Sequence, residues 1–286
     1  MVEVNILCDK VRFEEKALYE KTKSKGVESK IVDSKTITIG TYSNKKDFPL
    51  GDVILQRSVS YYRGLYLTAC LEFLGFKVIN RFEVGQTCGN KLITSIRLEQ
   101  NKVPTPKTAF AFSAESGLES AKRTGFPLVL KPIIGSWGRG IYPLRDFETA
   151  SMVIEMREED NSPLSRIYYI QEMVDRPPRD IRCIVVGDQA VTAIYRYSSQ
   201  SEWRTNVARG GKVELATMTK EMEDLALRAA KAVGGGILGV DMMEDKNHGL
   251  VVHEVNNTVE FRGAATVSET DIAAEIIDYA VDLARK

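Results

Sequence analysis

The sequence predicts an α/β and α+β chain of three lobes, and three observations carry that reading. Apolar strands at 2–8, 28–33, 52–58 and 77–80 alternate with helix-like stretches as far as Gly89, the pattern of a parallel sheet. The stretch "NKVPTPKTAFAF" then sets two prolines where one lobe gives way to the next. From Tyr168 onward strand-like runs dominate, as in a sheet built from hairpins. The expected domains are an N-terminal α/β unit at 1–89, a small α+β unit at 90–168 and a C-terminal unit at 169–286.

Each element has a local reason. Gly26 and Gly75 close the first two helices, because glycine accepts the left-handed turn that ends one. A helix over 90–100 precedes the prolines; beyond them come a helix at 114–124, the strand "PLVLKPI", a glycine loop and a helix at 147–157. The later strands are "YYIQEMV", "DIRCIVVG", "AVTAIYRYS", "ILGVDMME" and "LVVHEVN". A helix N-capped by Thr219 and stopped at Gly234 interrupts them, and a helix over 270–284 ends the chain.

Bulk properties exclude several classes. The 286 residues are 43% hydrophobic and 27% charged, with 39 Lys plus Arg balancing 39 Asp plus Glu. No global field therefore favours nucleic acid or an anionic membrane, and any charged partner must meet a local patch. Cys8, Cys70, Cys88 and Cys183 are scattered without a C-x-x-C pair, so buried thiols in a reducing compartment are expected. The start is too charged for a signal peptide and no apolar run reaches membrane-spanning length, which points to the cytoplasm.

Four stretches carry chemistry. In "VVHEVNNTVEF" (251–261) a β-branched strand accepts polar side chains at its middle, and period-2 geometry puts Glu254 and Asn256 on one face. Asp241 in "GILGVDMM" lies across the turn "EDKNHG", so a hairpin brings it beside them. Two carboxylates and an amide oxygen suit a hard cation of the Mg²⁺ type; the plain alternative is an edge strand whose polar side faces water. In "PLVLKPIIGSWGRGI" (127–141), Lys131 ends an apolar strand before glycines 135, 138 and 140. That is either a phosphate-binding loop with a lysine or a simple hairpin, and it matches neither G-x-x-x-x-G-K-[ST] nor G-x-G-x-x-G. "IYYIQEMVDRPPRDIRCIVVG" (167–187) offers Gln171 and Glu172 before a proline bend, a place for a base and ribose or a surface hairpin. "IYRYSSQSEWRTNVARGGKVE" (194–214) gathers Arg196, Arg204 and Arg209 around Asn206 and a Gly-Gly pair, either a mobile anion-recognising element or an exposed basic loop.

Taken in order, these motifs resemble the ATP-grasp superfamily along nearly the whole chain, in the branch of the ribosomal-protein glutamate ligases. "PIIGSWGR" and "EVNNTVEF" are similar to stretches of ligases acting on the amino-group carrier protein LysW, in lysine or arginine biosynthesis. The resemblance implies a Rossmann-like first domain, a central lid subdomain and a C-terminal antiparallel-sheet domain. It implies ATP held by Lys91, Lys131, the lid residues Gly135, Ser136, Trp137, Gly138, Arg139 and Gly140, the hinge residues Gln171, Glu172, Met173 and Val174, and Arg196 with Asn206. Asp241, Glu254 and Asn256 would hold two Mg²⁺ ions; Arg182 and Arg209 would stabilise the oxyanion of an acyl transfer. The implied reaction activates the C-terminal glutamate side chain of LysW as an acyl phosphate and joins it to an amine.

Substrate contacts are expected from Val207, Ala208, Val259, Glu260, Phe261, Arg262 and Gly263. Ligases that take α-aminoadipate tend to carry Asn-Thr in the arginine loop and "EFKN" after the metal strand; here stand Asn206-Val207 and "EFRGAA". That departure favours glutamate and the arginine branch, with dual use open, since one methylene discriminates by only about 1–3 kcal/mol. An acidic carrier requires a basic rim, expected at Arg139, Arg176, Arg179 and Arg204, and the resemblance implies a homodimer or homotetramer. The rival readings are a glutamate ligase for a small cofactor or a ribosomal protein, a non-catalytic ATP sensor and, last, a nucleic-acid binder.

Overall fold

The structure, a computed structural model, describes residues 2–135, 138–198 and 212–286. Its first sheet is parallel, in the order β2-β1-β3-β4, from β1 (Val4–Cys8), β2 (Ile31–Asp33), β3 (Val53–Gln56) and β4 (Lys77–Ile79). Helix α1 (Phe13–Ser24) links β1 to β2, α2 (Tyr61–Phe73) links β3 to β4, and α3 (Phe82–Cys88) leads into α4 (Lys91–Gln100). Asn90 caps α4, its side chain accepting from Leu92 and Ile93.

The second sheet runs β5-β8-β6-β7, with β5 (Thr108–Ala111), α5 (Ala114–Thr124), β6 (Leu128–Lys131), β7 (Tyr142–Leu144), α6 (Phe147–Glu158) and β8 (Tyr168–Glu172). The expected boundary at 168/169 cuts β8, which pairs with β5 and β6 rather than opening the C-terminal sheet. Its apolar run marked a strand; which sheet it joins is a non-local choice. The third sheet runs β11-β10-β9-β12-β13, with β9 (Arg179–Val186), β10 (Gln189–Tyr197), β11 (Val213–Leu215), β12 (Ile237–Asp245) and β13 (Gly249–Asn256). Helix α7 (Lys220–Ala232), capped by Thr219, precedes β12; α8 (Arg262–Ala265) and α9 (Ile272–Arg285) follow β13. One parallel and two antiparallel sheets bear out the expected α/β and α+β class. Among the described residues no helix is long and apolar enough to cross a membrane.

Alternation along β9 explains how the third sheet makes a site. Ile181, Cys183 and Val185 point to a core shared with α7, α3 and α4. Ile184 and Val186 point the other way, into a core shared with β1, β3, α1 and α9. Asp180 and Arg182 lie on that second face, beyond the cover of α9, where the sheet meets the cleft. The face is thus apolar where covered and charged where open. Cys8, Cys88 and Cys183 are buried, and burial pushes the first thiol up to about 11 and the last to about 12; Cys70, against expectation, is exposed on α2.

Candidate active site

A cavity of about 1160 Å³ lies where the three sheets converge. Its floor is the open end of the third sheet. Asp241 on β12 stands directly across from Glu254 on β13 and, on its other side, from Arg182 on β9. Asn256, two residues beyond Glu254, donates its amide to Asp241 Oδ2 at 3.2 Å. The hairpin therefore brings the three oxygen-bearing side chains together.

Cations surround these carboxylates. Arg182 grips Asp241 with two hydrogen bonds of 2.7 Å, and Arg196 reaches Asp241 at 3.1 Å while pairing with Asp180 at 2.7 and 2.9 Å. Burial would raise the Asp241 carboxyl, but the two guanidiniums win and hold it far below its usual range. Lys91, at the start of α4, donates to Gly135 O at 2.7 Å and meets Glu254 at 3.2 Å. Burial pushes Glu254 upward most strongly, but Lys91, with His253 and Lys131, more than offsets it, so the carboxyl ends below its ordinary value. Lys131 ends β6, only 8% exposed, and donates to Gln171 Oε1 at 2.6 Å. Burial above all pulls this lysine down to about 8.

Above the floor, Gly138 and Gly140 sit at φ of +68° and +66°, where a side chain would be strained. At the hinge, Gln171 is engaged within the protein, giving its amide to Thr108 and Tyr169. Glu172 accepts from Lys107 N, and Met173 N–H bonds to Pro127 O. Val174 lines the cavity with its N–H unbonded among the described residues, so it, rather than Met173, has a donor to offer.

A family model described as the RimK-like ATP-grasp domain matches residues 88–280, and one described as the LysX preATP-grasp domain matches 4–87. The chain belongs to the RimK-like ATP-grasp family. It is 35% identical to the alpha-aminoadipate–LysW ligase LysX of Saccharolobus solfataricus, covering 96% of this chain and 99% of that one. It is 34% identical to the glutamate–LysW ligase ArgX of Sulfurisphaera tokodaii, covering 96% and 97%. Among solved structures, a RimK domain ATP-grasp protein of Sphaerobacter thermophilus superposes with a TM-score of 0.78 at 22% identity, over 98% and 99% of the two chains. That last likeness speaks for the fold alone.

In this RimK-like site, Glu260, Arg262 and Gly263 line the cavity, but Val259 and Phe261 are buried in the core and are not brought to it. The segment leaves the sheet, and the two apolar side chains anchor it. Arg179 does not offer the basic rim an unmatched charge: Glu244 holds it at 2.7 and 2.9 Å and Tyr195 stacks beneath at 3.9 Å. Arg176 lines the cavity, and Arg139 is exposed on the glycine loop. Ser136, Trp137, Arg204, Asn206, Val207, Ala208 and Arg209 lie outside the described residues.

Two cavity-lining residues, Asp180 and His253, were given no site role in the sequence reading. Asp180, two before Arg182 in "DIR", shares its face and could have been found by period. His253 could not. Strict alternation turns it away from Glu254, but the β12–β13 ladder shifts register between Asp241 and Met242, leaving His253 as the extra residue of a bulge and a lining residue of the cavity. Both ring nitrogens are shut from solvent without a hydrogen-bond partner among the described residues. Burial, then Lys131, pushes the ring down to about 4. A buried polar group without a partner opposes folding, so His253→Leu should raise unfolding stability by about 1 kcal/mol. A urea midpoint at or below wild type would contradict this.

Proposed function

We propose that this chain is an ATP-dependent carboxylate–amine ligase acting on the carrier protein LysW, with glutamate as its amine. The observation that carries the reading is the meeting of Lys91, Lys131, Asp241, Glu254 and Asn256 in one cavity between three lobes. It is the combination a nucleoside triphosphate with its divalent cation calls for. Relatives matched along nearly their whole length bear the names of LysW ligases of both amine types.

A carboxylate resists attack by an amine until its oxygen becomes part of a leaving group. One carboxylate oxygen of the LysW C-terminal glutamate side chain attacks the γ-phosphorus, and the bond to the β-bridging oxygen breaks, releasing ADP and leaving an acyl phosphate. The amine nitrogen of glutamate then attacks the acyl carbon. The C–O bond to phosphate breaks with its electron pair, the nitrogen loses a proton, and an amide remains. Lys91 and Lys131 offset the repulsion between the two anions and orient the phosphate chain. Arg182 lies beside Asp241, where charge develops in both steps. Asp241, Glu254 and Asn256 suit Mg²⁺ by donor chemistry, as oxygen ligands on one face; when bound, the cation supplies charge neutralisation at the phosphates. The Val174 N–H serves the adenine.

The choice of glutamate rests on "EFRGAA" and Asn206-Val207. With purified LysW, ADP release is expected with glutamate and, at equal concentration, at least tenfold less with α-aminoadipate, a ratio equivalent to about 1.4 kcal/mol. Intact mass of LysW should rise by one glutamyl residue. Preference for α-aminoadipate would reverse the amine assignment, and turnover without LysW would replace the carrier by a small acceptor.

A further inference from the structure

The segment that follows the metal-binding strand is held, residue after residue, by the N-terminal lobe. Asn80, at the end of β4, donates to Asn257 O at 2.7 Å. Arg57, just past β3, donates to Val259 O at 3.0 Å and is itself fixed by Glu15 at 3.1 Å. Arg12 pairs with Glu260 at 2.8 Å. Glu14 Oε1 accepts from both Phe261 N–H and Arg262 N–H at 3.1 Å, and Phe13 meets the Phe261 ring edge-on at 6.1 Å.

The Glu14 contact explains how α8 starts. That helix is four residues long and Phe261 makes no side-chain cap of its own. Short helices leave their first N–H groups unsatisfied. Here a buried carboxylate 247 residues away in the chain supplies the cap. Arg262 and Gly263, which line the cavity, therefore stand where Glu14 puts them.

We propose that the first turn of α1 is a cross-lobe positioning device for the amine subsite, with Glu14 as its central positioning residue. Glu14 lines the cavity but acts through the backbone it holds, not on the reacting atoms. The chemical part of this inference rests on the ligase reading above, whereas the mechanical part rests on the hydrogen bonds alone.

The test compares the wild-type chain with Glu14→Ala and Glu14→Gln. Hydroxylamine serves as a small nucleophile that needs no amine subsite. Its nitrogen attacks the acyl carbon, phosphate leaves, a proton is lost and a hydroxamate forms. Glu14→Ala should raise the glutamate KM about tenfold while the ATP KM and the rate of LysW hydroxamate formation stay within about twofold. Glu14→Gln, whose amide oxygen still accepts from a backbone N–H, should recover part of the loss. Equal losses of hydroxamate and amide formation, or an unchanged glutamate KM, would overturn the assignment. If wild type forms no hydroxamate, the ligase reading falls instead. Hydrogen exchange still judges the device in that case: the Phe261 and Arg262 amides should exchange at least about tenfold faster in Glu14→Ala, with the Glu254–Asn256 amides unchanged. Equal exchange at 261 and 262 would end the proposal whatever the chemistry.

Discussion

Asp241→Asn should lower turnover about a thousandfold and destabilise the fold, two effects with different causes. The side chain keeps its volume and one acceptor oxygen but loses its charge. For the reaction, the proposed cation site Asp241–Glu254–Asn256 then keeps one carboxylate, at Glu254, too little to hold a divalent cation against triphosphate. For the fold, Arg182 loses the carboxylate that it grips at 2.7 Å twice, inside a site where Asp241 is 3% exposed. Breaking a buried pair costs about 3–5 kcal/mol, and the low end applies here, because Arg196 retains Asp180 and the Arg182 side chain is still 16% exposed. The sign with pH follows from the depressed carboxyl. Its contribution is complete above the ordinary value of 3.8 and is lost as pH falls through the lower folded value, so the gap between wild type and variant should narrow in acid. Denaturation at pH 7 and pH 3 would measure it, and a gap that widened in acid would contradict the ion-pair account.

The sequence made that prediction possible because a hairpin is local. The turn "EDKNHG" between two β-branched runs left few ways to pair them, and the pairing sets Asp241 against Glu254. Lys131 was legible for the same reason, as a charged end to an apolar strand. What stayed hidden is either a one-residue irregularity or a contact between distant parts. The bulge at His253 inverts the alternation from which its direction would be read. Val259 and Phe261 looked like substrate contacts because they follow the strand proposed to hold the metal, yet the N-terminal lobe covers them. Nothing near position 261 announces a cap from Glu14. The three-residue strands β7 and β11 have too few side chains to show a period, so each emerges only from its pairing with a longer neighbour.

Lys131→Met should stabilise the protein while disabling it. At pH 7 the wild-type lysine carries its charge inside the cavity wall, where burial has drawn it from 10.5 to about 8. That difference corresponds to roughly 3 kcal/mol of opposition to folding. Methionine removes this opposition at nearly the same length, and leaving Gln171 Oε1 without its donor returns about 1–2 kcal/mol. The net expectation is a gain of about 1–2 kcal/mol at pH 7, joined to a loss in ADP affinity of about a hundredfold as the phosphates lose their point charge. The sign with pH separates this from general loosening. Because the folded value lies below the unfolded one, the native state binds fewer protons between about pH 8 and 10.5, so wild-type stability rises across that window. The variant should lack the rise, so its advantage at pH 7 shrinks toward pH 10. Over the same range wild-type affinity for ADP should weaken as the free enzyme's lysine loses its proton, and the variant's should stay flat. A variant less stable than wild type at pH 7, or one that still binds ADP equally well, would show that Lys131 is a structural side chain and that the phosphate charge comes from elsewhere.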